Sequence, residues 1–190
     1  MTRDKISFRK TAFLFLFLAV LLTGRELLFA AGKKPSRAVY AKQYEVRVIK
    51  VVDGDTVDVA FLGETPPECD ASCQRIRLIG VDTPEYYKKV RQPYADEAKA
   101  YTGSCLGTTM LLQLDWDTSY KDRYGRLLAC LYAEDGSMLN YELVRNGYGR
   151  YYDKFKFNRQ NMASFCQAEE YAREYRLGLW GLEADGQLPR

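Results

Sequence analysis

Histidine is missing from all 190 residues of this chain. Every mechanism that needs an imidazole as acid, base or metal ligand is therefore excluded. Histidine-dependent nucleases, His-bearing zinc hydrolases and Ser-His-Asp hydrolases all fall away, leaving carboxylates, Lys, Tyr and Cys as acid–base groups. A surplus of positive charge is also missing from the body of the chain. The whole sequence carries 28 Lys/Arg and 25 Asp/Glu, but Met1–Ala31 holds five of the former and two of the latter. The remainder has 23 of each and is neutral. A polybasic, sequence-indifferent grip on nucleic acid is not indicated, so any phosphate recognition must come from a few placed arginines. No internal repeat or low-complexity tract is visible.

Long apolar runs are equally scarce, and the one present stands at the N-terminus. "MTRDKISFRK" is basic and is followed by the unbroken run Ala12–Leu22, the layout of an export signal. Eleven helical residues reach about 16 Å against roughly 30 Å of hydrocarbon, which is short for a stable span. Extending the run to Ala31 would bury Arg25 and Glu26. The reading favoured is a cleaved signal over residues 1–31, which sends the body out of the cytoplasm as a secreted or periplasmic protein. A bulky residue stands three places before a cut after either Ala30 or Ala31, where cleavage prefers a small one. An uncleaved membrane anchor through Ala12–Leu22 is therefore the alternative.

Cysteine is sparse and odd in number: Cys69, Cys73, Cys105, Cys130 and Cys166. Export makes disulfides possible. Cys69 and Cys73 share a Pro-rich polar insertion and are the pair best placed to bond. A Cys-x3-Cys metal site is the rival, but the other cysteines stand singly without paired ligand spacing. Cys130, within "LLACLY", reads as core.

What is present reads as one globular domain over residues 44–181, after a basic linker at 32–43 and before a tail at 182–190. "YEVRVIKVV" and "TVDVAF" alternate on either side of Asp53-Gly54 as a hairpin, and "RIRLIGV" follows as a third strand. There Arg75 and Arg77 face one way, Ile76 and Leu78 the other. "TTMLLQLDW" and "RLLACLYA" supply two more strands. Helices are expected over Asp96–Leu106, over Met138–Asn146 with Gly147 as its stop, and along the face Met162, Phe165, Ala168, Ala172 and Tyr175. Trp180 is expected to close the core. The pattern is α+β, built on a small five-stranded barrel.

Three stretches could carry chemistry, and each has a plain structural explanation. "VVDGDTV" alone is a turn, because Asp-Gly between alternating apolar residues suits a tight primed hairpin with positive φ. A helix–loop–helix calcium loop is rejected there: Asp58 stands where a glycine must make the sharp turn, and Val57, Val59 and Phe61 alternate as a strand. "RIRLIGVDTPE" alone is a strand end with an Asp-Thr-Pro turn. "KDRYGR" alone is a solvated loop. Taken together they fit one job. Asp55 and Asp82 could share a hard divalent cation, Arg77 and Arg126 could bind a phosphate through their guanidinium forks, and Glu85 could position or deprotonate a water.

At this point the motifs "VVDGDTV", "RLIGVDTPE", "DRYGRLLACLYAEDG", "ELVRNGYGR" and "RLGLWG" resemble the staphylococcal nuclease (thermonuclease) family in order and spacing. The resemblance covers roughly Tyr44–Gly181. It implies an OB-fold five-stranded β-barrel with three α-helices. It implies Ca²⁺ as cofactor, with Asp55, Asp82 and the backbone carbonyl of Thr83 as ligands, and Arg77, Glu85 and Arg126 as the catalytic set. It further implies a monomer hydrolysing DNA and RNA with little sequence preference, by in-line attack of water that leaves a 3′-phosphate and a 5′-hydroxyl.

The departures are peripheral. A lysine of the family is Arg123 here, and its neighbour Tyr124 is a substrate contact by the same resemblance. The family's tyrosine pair falls in "RYYDKFKF", where Asp153 lies beside Tyr152 and the second position is Phe155. Base stacking by Tyr152 and Phe155 is retained in this alignment, while hydroxyl contacts are in doubt. The loop after Glu85 is shorter than the family's, and the Cys69–Cys73 insertion is extra. The alternative of another class is an OB module that binds nucleic acid or protein without catalysis. The intact Arg77, Glu85 and Arg126 speak against it.

Overall fold

The valine runs flanking Asp53-Gly54 form β1 (Gln43–Val51) and β2 (Thr56–Phe61), paired antiparallel. A bulge between Val48 and Lys50 twists β1 and leaves Ile49 exposed. The computed structural model describes residues 42–67, 69–86, 91–114, 121–155 and 159–188. The export segment, and the linker up to residue 41, lie outside the described residues. The remaining elements are β3 (Gln74–Leu78), β4 (Val81–Asp82), α1 (Ala95–Ser104), β5 (Met110–Leu114), β6 (Leu127–Tyr132), α2 (Leu139–Arg145), β7 (Arg150–Tyr151), α3 (Arg159–Glu174) and α4 (Leu179–Ala184).

Five strands close into a barrel in the order β1-β2-β3-β6-β5, the α+β architecture expected. Closure depends on one parallel pairing, in which Arg77 of β3 lies opposite Leu128 of β6. Val46, Val57, Val59, Ile76, Leu78, Leu112, Leu127 and Leu131 are fully enclosed within the core. Asn140, on α2, braces the parallel seam from below. Its amide nitrogen donates to the carbonyls of Ile79 and Ala129, and its oxygen accepts from Leu131 N. Cys130 is core, as its surroundings in the sequence imply.

Four departures from the expected picture have physical causes. A fourth helix, α4, follows the expected three, so Leu182, Glu183 and Ala184 belong to the folded body and not to a tail. Glu183 pairs with Arg150, and Trp180 is buried as expected. Val81 leaves the third strand and, with Asp82, forms a small ladder with Tyr151 and Arg150. Arg77 does not share the solvent with Arg75: it is buried, because carboxylates and carbonyls at the strand end receive it. Finally, no disulfide joins Cys69 to Cys73. Their loop is held instead by Asp70, whose Oδ1 accepts from Ser72 N, Ser72 Oγ and Cys73 N.

The stop of α2 at Gly147 is a left-handed residue, φ 74°, and its carbonyl accepts from Leu179 N at the start of α4. A Cβ at Gly147 would lie 2.2 Å from the carbonyl oxygen of Leu177, so both space and φ require glycine.

Candidate active site

Asp55 ends the β1–β2 connection and is buried. Its Oδ2 accepts from the backbone N–H of Thr83 at 2.8 Å and from Thr83 Oγ at 3.0 Å. Its Oδ1 accepts from Thr56 Oγ at 3.1 Å and faces Arg77 Nε at 3.1 Å. The loop can approach this closely because residue 54 is glycine. A Cβ there would stand 2.7 Å from Thr83 Oγ and 2.9 Å from Ala98 Cβ of α1. Gly54 has no positive φ, so the primed turn expected for Asp-Gly is not formed. Glycine serves contact here, and Thr102 Oγ of α1 donates to the Gly54 carbonyl at 2.6 Å.

Arg77 is the hub of the cluster. Besides Asp55, its Nη2 donates to Asp82 Oδ1 at 2.9 Å, and its Nη1 donates to the carbonyls of Leu78 and Val81. Three N–H groups of Nη1 and Nη2 thus donate hydrogen bonds and Nε forms the ion pair with Asp55, leaving one Nη2 hydrogen. Partial burial raises the Asp82 carboxyl, and the charge of Asp55 adds to this against the pull of Arg77. Asp53 belongs to the same cluster: burial and the charges of Asp55 and Glu85 push its carboxyl up to about 6. Asp53 also caps the turn, its Oδ1 accepting from Asp55 N–H at 3.2 Å. Two carboxylates, Asp55 and Asp82, pair with the buried guanidinium, and Asp53 feels the charges of Asp55 and Glu85.

Arg126 stands one residue before β6 and is held differently. Its Nε donates to Asp122 Oδ2 at 2.7 Å and its backbone N–H to Asp122 Oδ1 at 2.9 Å. Among the described residues neither Nη group carries a hydrogen-bond partner, so the outer fork stays open. Burial would raise Asp122, but hydrogen bonds from the Arg126 side chain and from the backbone of Arg126 and Tyr124 outweigh it and hold its carboxyl below the usual range. In "KDRYGR" Asp122 carries the ordinary signal of an Asp that caps its own turn.

Aromatic rings flank both arginines. The Tyr152 ring lies 5.8 Å from the Arg77 guanidinium, with Phe155 at 5.7 Å from Tyr152. The Tyr124 ring lies 5.5 Å from Arg126 and 4.7 Å from Arg123, and is 67% exposed. The structure thus groups Asp55, Arg77, Asp82, Thr83 and Glu85, with Tyr152 and Phe155 alongside. Arg126 sits with Arg123 and Tyr124 on the adjoining strand entry.

Anionic oxygens suit a hard divalent cation, and the crowding that raises Asp53 and Asp82 is what such a cation would relieve. Asp82 Oδ2 has no hydrogen-bond partner among the described residues, whereas Asp55 already receives three hydrogen bonds and the Arg77 ion pair, so a cation there would take the place of one. Among the described residues no three His, Cys, Asp or Glu side chains converge as a ready-made metal cage.

The profile of the family described as staphylococcal nuclease homologue matches residues 75–181. The chain belongs to the staphylococcal nuclease family. It is 31% identical over 176 residues to the thermonuclease of Staphylococcus hyicus, covering 90% of this chain and 96% of that protein. It is 34% identical over 155 residues to the thermonuclease of Staphylococcus intermedius, covering 78% and 82%. An uncharacterized endonuclease of Escherichia coli O157:H7 is 32% identical over 143 residues, covering 75% and 80%. The family's match spans β3 to α4 and so includes Arg77, Asp82, Glu85 and Arg126.

Proposed function

We propose that this protein is an exported, monomeric, Ca²⁺-dependent nuclease that hydrolyses phosphodiester bonds of DNA and RNA with little sequence preference. The observation that carries the reading is the buried Arg77 bridging Asp55 and Asp82 beside Asp53 and Glu85. Membership of the nuclease family supports it, as do relatives named thermonuclease and endonuclease.

Asp55, Asp82 and the Thr83 carbonyl would hold the ion, which when bound supplies charge stabilisation to the phosphate oxygens. Two carboxylates make a weak site, on the order of 10⁻⁴–10⁻³ M, suited to an extracellular supply. Arg77 contributes a fixed positive charge and one free N–H to the phosphate. Arg126, held by its Nε, turns both Nη groups toward a bidentate phosphate contact. Glu85 accepts a proton from, or orients, the attacking water; with no histidine in the chain, a carboxylate is the base at hand. In-line attack on the side opposite the 5′ oxygen yields a 3′-phosphate and a 5′-hydroxyl. Tyr152, Phe155, Tyr124 and Arg123 offer sequence-tolerant stacking and charge to flanking nucleotides.

The test is incubation of the protein with single- and double-stranded DNA and with RNA in millimolar Ca²⁺, in Mg²⁺ and in chelator. Cleavage is expected in Ca²⁺ only, and Glu85→Gln or Arg126→Ala should lower it at least about 100-fold. Cleavage that survives chelation, or is unchanged in both variants, refutes the assigned site. Binding without cleavage under every condition identifies a non-catalytic module.

A further inference from the structure

Glu85 reaches the acidic cluster from a loop, and a loop does not ordinarily hold a base to the fraction of an ångström that catalysis needs. In this chain the loop's stem is closed on itself. The Glu85 backbone N–H donates to Gln92 Oε1 at 2.8 Å, and Gln92 N–H donates back to the Glu85 carbonyl at 3.1 Å. One step outward, Tyr86 and Arg91 form an antiparallel bridge. Arg91 Nη2 also donates to the Tyr86 hydroxyl at 2.8 Å, with its guanidinium 4.3 Å from the ring centroid.

The stem is also fastened to α1. Lys99 Nζ lies 3.8 Å from the Tyr86 ring centroid, and Arg91 Nη1 pairs with Asp96 at 2.9 Å. Lys99 and Asp96 are α1 residues, and the same helix carries Ala98 and Thr102, which pack on and hydrogen-bond to Gly54 between Asp53 and Asp55. One helix therefore touches the loop bearing Asp55 and grips the residue next to Glu85.

We propose that Tyr86, clasped between Arg91 and Lys99, and Gln92, bonded to the Glu85 backbone, are positioning residues that register Glu85 against Asp55 through α1. This rests on the nuclease reading only for its catalytic consequence, and its structural half stands separately. Neither Tyr86 nor Gln92 touches the reacting atoms; they act by narrowing the positions open to the Glu85 backbone.

Two measurements test it on the full-length protein. In the first, exchange of the Glu85 amide with solvent is followed by NMR. Tyr86→Ala, Gln92→Ala and Lys99→Met should each speed it about tenfold, with β2 and β6 amides unchanged, and Lys99→Arg should restore the slow rate. In the second, kcat should fall about tenfold in Tyr86→Ala and Gln92→Ala with KM within twofold, and Lys99→Arg should recover what Lys99→Met loses. An unchanged Glu85 amide overturns the clasp whether or not the protein cleaves anything. Faster exchange with unchanged kcat in an active enzyme overturns the positioning role. Wild-type protein that cleaves nothing refutes the nuclease reading, and the exchange measurement then decides the clasp alone.

Discussion

The two arginines of the site share a side chain but not a role. Arg77 is buried, and most of its donors satisfy Asp55, Asp82 and two carbonyls. Removing it leaves a buried carboxylate uncompensated, a loss typically worth about 3–5 kcal/mol. Arg126 is half-buried, and only its Nε and backbone are tied. Arg77→Ala should therefore lower both stability and cleavage, while Arg126→Ala loses cleavage at a cost of about 1 kcal/mol or less. Thermal melts beside activity assays separate the two, and equal destabilisation would contradict the division. Asp122 gives a pH signature. Its folded carboxyl lies below the unfolded value of about 3.9, so its contribution is complete above that pH and is lost as the pH falls through the folded value. The melting-temperature difference between wild type and Asp122→Asn should be constant from pH 5 to about 7 and shrink below about pH 4.

At the scale of elements, the contact of α2 with the barrel rests on Asn140 as much as on apolar packing. Its three hydrogen bonds satisfy groups of β6 and of the turn after β3, where the parallel pairing leaves them facing the helix. Asn140→Leu would strand the buried Leu131 N–H and the Ile79 carbonyl, while the Ala129 carbonyl keeps its bond from Ile79 N–H, and a loss of about 3 kcal/mol is expected from denaturant unfolding. A loss under about 1 kcal/mol would mean that other groups replace it. The strands and the three longer helices were legible because alternation and the helical period are local. Both α4 and the β4–β7 ladder escaped that reading. Each is short, and each is defined by a distant partner: Gly147 for α4, and the pairing of Val81 with Tyr151 for the ladder.

At the scale of the whole molecule, the site exists only because the barrel closes. The β1–β2 connection brings Asp53 and Asp55, β3 and β4 bring Arg77 and Asp82, and Arg126 stands at the entry to β6, the strand paired with β3. The N-terminal apolar run lies outside the described residues, and among those no helix is long and apolar enough to cross a membrane. Ala12–Leu22 is proposed as an export signal, so intact mass of the protein collected outside the cytoplasm should lack residues 1–31. Full-length mass in the membrane fraction would identify an anchor.

By itself, the order of residues determined the set of usable chemical groups: no imidazole, a neutral body, and carboxylates and arginines in short motifs. It determined the strands and main helices as well, because their signals lie within a few neighbouring residues. Tertiary structure alone decided that Arg77 is buried while Arg126 keeps an open fork. It also decided that Gly54 is required for close packing and that Asp53 joins the acidic cluster. Burial, charge crowding and close approach are set by groups that only folding brings together, and no local pattern records them.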